Sequence, residues 1–325
     1  MPLTALNRIS ESSELSDTQE SSPGSPDVSL ELVEGLQPEL QRTDKDAELS
    51  KMIFIADYLE CHPTSNPQEM LGKLPNSKTL FQNKFFILTC TVGLKPHRFA
   101  EVDDSNVNNK TRQFSKVPFV KSFLQKQIEE GGGVVFKYFD KIPKKKYRQC
   151  KLIASQPCLT AKYVQCLAAD IQAVSHEWII DSCNSNILED VKKYVLPSGW
   201  SILTETYIRW DVGKSANQRL SKQPLNKTVV LLGSTHKEFT AFWSRVCRFA
   251  GATIRYIKYI DDVTPSTKGI MVCDLDFPDI IKSKAMHFDI PIVSTAWIIQ
   301  CLINGRTCEP NANPKLQQMF PDDDY

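Results

Sequence analysis

Val174-Ser175-His176-Glu177-Trp178-Ile179 and Val293-Ser294-Thr295-Ala296-Trp297-Ile298 are two versions of one pattern, set 119 positions apart in a chain of 325 residues. The same offset pairs Gly132 with Gly251 and Ile153 with Val272. A single offset shared by matching chemistry over this distance reads as an internal duplication. Each block begins as the end of a β-branched strand and continues into a helix that carries a tryptophan.

Working outward, each copy alternates short apolar strands with helices. In the first, strands are expected at Lys84–Cys90, Val134–Phe139, Leu152–Ala154 and Ala173–Ser175. Helices are expected near Ser122–Glu130, over Thr160–Ala169 and around Trp178, with Gly131 in a left-handed conformation stopping the first of them. In the second, strands fall at Lys227–Gly233, Thr253–Ile257, Ile270–Cys273 and Pro291–Ser294. Phe239, Phe242, Trp243, Val246 and Ala250 form a helical stripe that ends at Gly251, and helices follow at Asp279–His287 and around Trp297. Strand–helix alternation with apolar strands predicts an α/β class: two domains, each a small, mainly parallel four-stranded sheet flanked by helices.

The expected organisation is a tail over 1–75, a first domain over 78–197, a linker over 198–225 and a second domain over 226–320. The first copy carries a polar insert, Lys95–Val120, read as a surface loop. Trp200, Tyr207, Ile208 and Trp210 give the linker enough apolar surface to pack between the domains.

The formal net charge of +1 conceals an asymmetry. Residues 1–50 hold 11 acidic and 3 basic side chains and no Phe, Trp, Tyr or Cys, so the first fifty residues are expected to be disordered. Ser22-Pro23, Ser25-Pro26 and Thr18-Gln19 in that tail are similar to kinase sites. No run of 18 apolar residues is present, so a soluble protein without membrane contact is expected. Cys90, Cys166, Cys183, Cys247, Cys273 and Cys301 lie in apolar runs as core thiols. No spacing suits a metal, and no cofactor is expected.

The Gly131-Gly132 and Gly251-Ala252 pairs that follow the first helices, taken with the two Val-Ser-x-x-Trp blocks, resemble the BRCT domain. Lys162-Tyr163, Cys166-Leu167-Ala168, Asp181-Ser182-Cys183, Tyr194, Leu196-Pro197 and Gly199 extend the likeness, as does Pro291-Ile292 through Cys301-Leu302. Both marks in both copies resemble a tandem BRCT region over roughly residues 78–320. The resemblance implies a nuclear adaptor of the DNA-damage response, not an enzyme, that acts in DNA repair and checkpoint signalling on chromatin. Its implied partners are phosphorylated peptides, a histone tail among them, or a p53-like transcription factor.

In that family a hydroxyl after the first strand and a lysine on the second helix grip the phosphate. The resemblance puts these roles on Thr89, with Thr91 as a rival, and on Lys162, with the Val92-Gly93 step as a backbone donor. A phosphate carries nearly two charges and three acceptors, which suits a hydroxyl, an ammonium and free N–H groups. Where relatives place an arginine three residues before the lysine, this chain has Leu159, so reading of a free C-terminal carboxylate is left open. The second copy has Gly233-Ser234, with Lys282 and Lys284 in no clear correspondence, and is expected to complete the peptide groove. Gly132, Gly251, Trp178 and Trp297 are read as structural, the tryptophans as core anchors.

The basic run Lys141, Lys144, Lys145, Lys146, Arg148 and Lys151 reads as a solvated face open to weak DNA contact. Gly131–Gly133 follows a helix instead of opening one and lacks a P-loop lysine, which excludes a phosphate loop. Two other classes compete: a phosphate-independent module that holds a folded partner, and a doubly wound nucleotide-binding enzyme. The missing glycine fingerprint and general-base constellation argue against the enzyme.

Overall fold

In the computed structural model, which describes residues 71–90, 115, 117–210 and 223–318, the two copies build two four-stranded parallel sheets. The first unit contains β1 (Phe85–Leu88), α1 (Lys121–Glu130), β2 (Val134–Phe136), β3 (Cys150–Ala154), α2 (Ala161–Ala168), β4 (Ala173–Ser175) and α3 (Glu177–Ser185). A hairpin of β5 (Gly199–Ser201) and β6 (Thr206–Ile208) follows. The second unit contains β7 (Val229–Gly233), α4 (Lys237–Phe249), β8 (Thr253–Ile257), β9 (Ile270–Cys273), α5 (Asp279–His287), β10 (Ile292–Val293) and α6 (Thr295–Asn304). Strand orders are β2-β1-β3-β4 and β8-β7-β9-β10, the same topology twice. The fold is therefore α/β, with parallel sheets flanked by helices.

Alternation along the strands explains why both faces are covered. Phe86, Leu88, Ile153 and Val174 point into one cluster with Leu124, Ile128, Trp178 and Ile179 of α1 and α3. Their neighbours Ile87, Leu152, Ala154 and Ala173 point the other way, into a cluster with Tyr163 and Cys166 of α2. The second unit repeats this: Val230, Leu232, Val272 and Val293 pack on α4 and α6, while Leu231, Met271 and Cys273 pack on α5.

Helix α2 has a second apolar face. Ala161, Val164 and Ala168 belong to the same core as Trp243, Val246, Trp297 and Ile298 of the second unit. At the rim, Phe249 meets the rings of Phe139 and Tyr147 at 5.6 and 5.8 Å, and Arg245 pairs with Asp140. The hairpin is held to α6: Ser198 Oγ donates to Ile303 O at 2.9 Å, Gln300 Nε2 to Trp200 O at 3.1 Å, and the Ile202 N–H to Gln300 Oε1 at 3.1 Å. Trp210 packs against the core of the first unit.

Three expectations are corrected. Gly131 is not left-handed, with φ −81°; Gly132 is, with φ +79°, and a Cβ there would lie 2.3 Å from Lys78 O. The second strand stops at Phe136, because Phe139 opens a 3-10 turn and buries its ring. The opening strands are shorter than expected, and Lys227 takes a left-handed turn (φ +64°) before β7. Most of the expected tail, and the insert up to Phe114, lie outside the described residues. Among the described residues, no helix is long and apolar enough to cross a membrane.

Residues 71–77 are strapped to the first unit by side chains. Gln127, fully buried, donates Nε2 to Leu71 O and Lys73 O. Asn184 Oδ1 accepts from the Lys73 N–H, and Asn186 Oδ1 from the Asn76 and Ser77 N–H groups.

Candidate phosphate-binding site

The parallel register carries the end of β1 to the start of α2. The Thr89 N–H donates to Ile153 O at 3.0 Å, continuing the ladder one residue past β1. Its buried hydroxyl lies 2.8 Å from Thr160 Oγ1. Thr160 caps α2, because its side-chain oxygen accepts the Tyr163 N–H at 3.3 Å. Either hydroxyl can donate in the Thr89–Thr160 pair; when Thr160 donates, the Thr89 proton is left for another acceptor.

Lys162 is the second residue of α2 and half-buried. Lys121, the first residue of α1, is exposed. Both act on the half-buried Cys90 next to Thr89: burial pushes the Cys90 thiol up, and the two ammonium groups pull it down. The Thr89 hydroxyl is thus next in sequence to a thiol that feels the fields of two cations. Neither helix carries an acidic residue in its first turn, so the dipoles add to the positive field there. Sequence reasoning missed Lys121, because the insert separates it from Thr89 along the chain. Thr91 and Gly93 lie outside the described residues.

Leu159 packs its side chain against the core shared by the two units. An apolar residue here fits that environment, and a charged one would have to leave it.

The second unit places similar residue types differently. The Ser234 hydroxyl, just after β7, bonds Asp274 Oδ2. Lys282 is buried at 3% exposure, and its Nζ donates to Asp279 Oδ1 at 2.9 Å and Leu275 O at 3.2 Å. Lys284 donates to Ile260 O. Burial pushes the Asp274 carboxyl up. Here the hydroxyl is held by a carboxylate, and the Lys282 ammonium is bonded to a carboxylate and a carbonyl.

Trp178 is 3% exposed and donates Nε1 to Glu189 O at 2.9 Å. Trp297 is fully buried and donates Nε1 to Cys308 O at 2.8 Å. Gly251 has φ +94° and ends the α4 region in the same manner as Gly132. The basic run lies at the opposite end of the first sheet from Thr89, on the 3-10 turns that precede β3 and, at Lys151, in the start of β3 itself. Lys146 sits 4.3 Å over the Phe85 ring, and Lys151 donates to Gln172 Oε1.

Solved structures similar to this chain include the BRCT5-BRCT6 domains of S. pombe Brc1. They are 13% identical over 69% of this chain and 94% of that one, with a TM-score of 0.38. BRCT3,4 of S. pombe Rad4 is 11% identical over 71% and 95%, at a TM-score of 0.25. Rad4 BRCT1,2, solved in complex with a Crb2 phosphopeptide, is 15% identical over 74% and 100%, at 0.25. Residues 223–321, which span the second unit, match the family model of the BRCA1 C-terminus (BRCT) domain.

Proposed function

We propose that the chain is a nuclear adaptor of the DNA-damage response whose paired units, over residues 78–197 and 226–320, bind a phosphorylated peptide. The observation that carries this reading is the bond of the Thr89 hydroxyl to Thr160, the cap of the helix that carries Lys162, beside a Cys90 that feels both Lys162 and Lys121. A phosphate there would accept from the hydroxyl in the field of two cations, near the start of α2. The second unit acts through its packing on α2 and leaves phosphate binding to the first. The role is that of an interaction module, without catalysis.

The sequence likeness to the tandem BRCT region of tumour suppressor p53-binding protein supports chromatin or checkpoint peptides as the partner class. The basic run at the other end of the sheet gives polyanions such as DNA a separate, weaker face.

The test is calorimetry of a library-selected phosphopeptide and its unphosphorylated twin. Lys162→Met keeps the apolar stem and removes the cation. A charge-assisted bond is worth roughly 1.5–3 kcal/mol, so affinity should fall about tenfold or more. Thr89→Ala and Lys121→Met should each cost less, one because it is neutral and the other because it is exposed. If the wild type prefers neither peptide, or Lys162→Met keeps the full preference, the reading fails. The linker hairpin, as a platform for a folded partner, then takes its place.

A further inference from the structure

Helix α6 ends at Gly305, whose φ of +64° turns the chain back along the helix it has just left. The return is fixed at both levels. The Arg306 N–H donates to Cys301 O at 3.2 Å, and Trp297 Nε1 donates to Cys308 O at 2.8 Å. Between these two ties, the Cys308 N–H donates to Cys301 Sγ at 3.2 Å. Two cysteines seven positions apart are thereby held side by side, Cys301 fully buried and Cys308 at 4% exposure.

We propose that Cys301 and Cys308 form a thiol pair that closes to an intramolecular disulfide when the protein meets hydrogen peroxide. The arrangement brings one sulfur against the backbone of the other cysteine, and a disulfide needs such an approach of two Cα atoms, typically 4.4–6.8 Å. The two sulfurs are chemically unequal. Burial pushes the Cys301 thiol up, whereas the hydrogen bond from Cys301, with Arg306 nearby, pulls the Cys308 thiol down. Cys308 is also the more exposed residue of the two.

The Cys308 thiolate attacks one peroxide oxygen. The O–O bond breaks, hydroxide leaves and takes up a proton as water, and Cys308 becomes a sulfenic acid. The Cys301 sulfur then attacks the Cys308 sulfur. The S–O bond breaks, and the hydroxyl leaves as water with the Cys301 proton. Two thiols are oxidised and one peroxide is reduced to two waters.

The bond would staple the middle of α6 to the segment behind it. Because α6 also holds the linker hairpin and packs against α2, the staple would stiffen the joint between the units. Cys247, which also acts electrostatically on Cys301, is the competing partner.

The experiment treats the full chain, with Cys61→Ser and Cys90→Ser to silence other thiols, with hydrogen peroxide. Remaining thiols are alkylated, and a non-reducing digest is mapped by mass spectrometry. The expected result is a peptide linked at Cys301–Cys308, 2 Da lighter than its reduced parts, released by dithiothreitol, with a raised melting temperature before release. A Cys247–Cys301 link, irreversible oxidation of Cys308 without a link, or no modification while the protein stays native would overturn it. The mapping is repeated on the wild-type chain, so the conclusion does not depend on how the variant folds.

Discussion

Replacing Trp297 by alanine should produce the larger of the two tryptophan losses, for reasons visible in the surroundings. Its side chain is fully buried in the core that α2, α4 and α6 share, so removal opens a cavity between the units. A buried Trp→Ala change costs about 3–5 kcal/mol. The orphaned Cys308 carbonyl, which now accepts the indole N–H at 2.8 Å, pushes the value toward the upper end. Trp178 also donates to a carbonyl, Glu189 O, but it lines an open cleft of about 410 Å³. Water can enter there and hydrate the freed carbonyl, so Trp178→Ala should fall toward the lower end. At roughly 2–4 °C per kcal/mol for a protein of this size, Trp297→Ala lowers Tm by about 10 °C or more. Urea unfolding of both variants gives the comparison, and Trp297→Phe, which keeps one ring of the indole but loses the donor, should cost less than Trp297→Ala. A Trp297→Ala chain within about 1 kcal/mol of wild type, or a Trp178→Ala chain less stable than it, would refute the reasoning.

Gly132→Ala forces a Cβ against the Lys78 carbonyl at positive φ, and should cost about 2 kcal/mol or more in thermal unfolding. Phe249→Ala removes the ring that joins Phe139 and Tyr147, so one calorimetric transition should split into two as the units uncouple. His176 donates Nε2 to Val117 O while Nδ1 is buried without a partner among the described residues, and burial, the dominant cause, lowers its pKa. With the folded pKa below the unfolded value of 6.5, the unfolded chain binds more protons, so stability should fall as pH drops through about 6.5. His176→Gln should flatten that slope in denaturation curves between about pH 7.5 and 5.5, and an unchanged slope would assign it to other groups.

The duplication was legible because its marks are structural necessities. Gly132 and Gly251 take positive φ, and Trp178 and Trp297 anchor their helices, so their spacing survives in the chain as a period. The alternation of the strands likewise disclosed a sheet covered on both faces. What the sequence concealed is long-range and polar. Gln127, Asn184 and Asn186 look like ordinary surface amides, yet they hold a strap more than fifty residues away. No local pattern encodes such a bond. Lys121 was hidden similarly, since only the fold brings the start of α1 toward the residues that follow β1. The assignment of the left-handed residue to Gly131 failed because three consecutive glycines offer no side-chain clue to which one turns.

The asymmetry between the units follows from one helix. In the first unit the helix after β3 must satisfy two cores at once, its own through Tyr163 and Cys166 and the neighbour's through Ala161, Val164 and Ala168. That leaves little of its surface for polar work except its first turn, where Thr160 caps and Lys162 sits half-buried. In the second unit the corresponding helix, α5, packs on one side only, and its ammonium at Lys282 folds inward onto Asp279 and Leu275. The same helix therefore joins the units and presents the candidate site. Tyr163, next to Lys162, adds a third tie by donating its hydroxyl to Pro197 O at 2.9 Å, where the chain leaves for the linker. A ligand held by Lys162 would rest on a helix whose position is fixed from the sheet, the second unit and the linker together. That rigidity, more than any one contact, is what would let a single hydroxyl and two lysines select a phosphate.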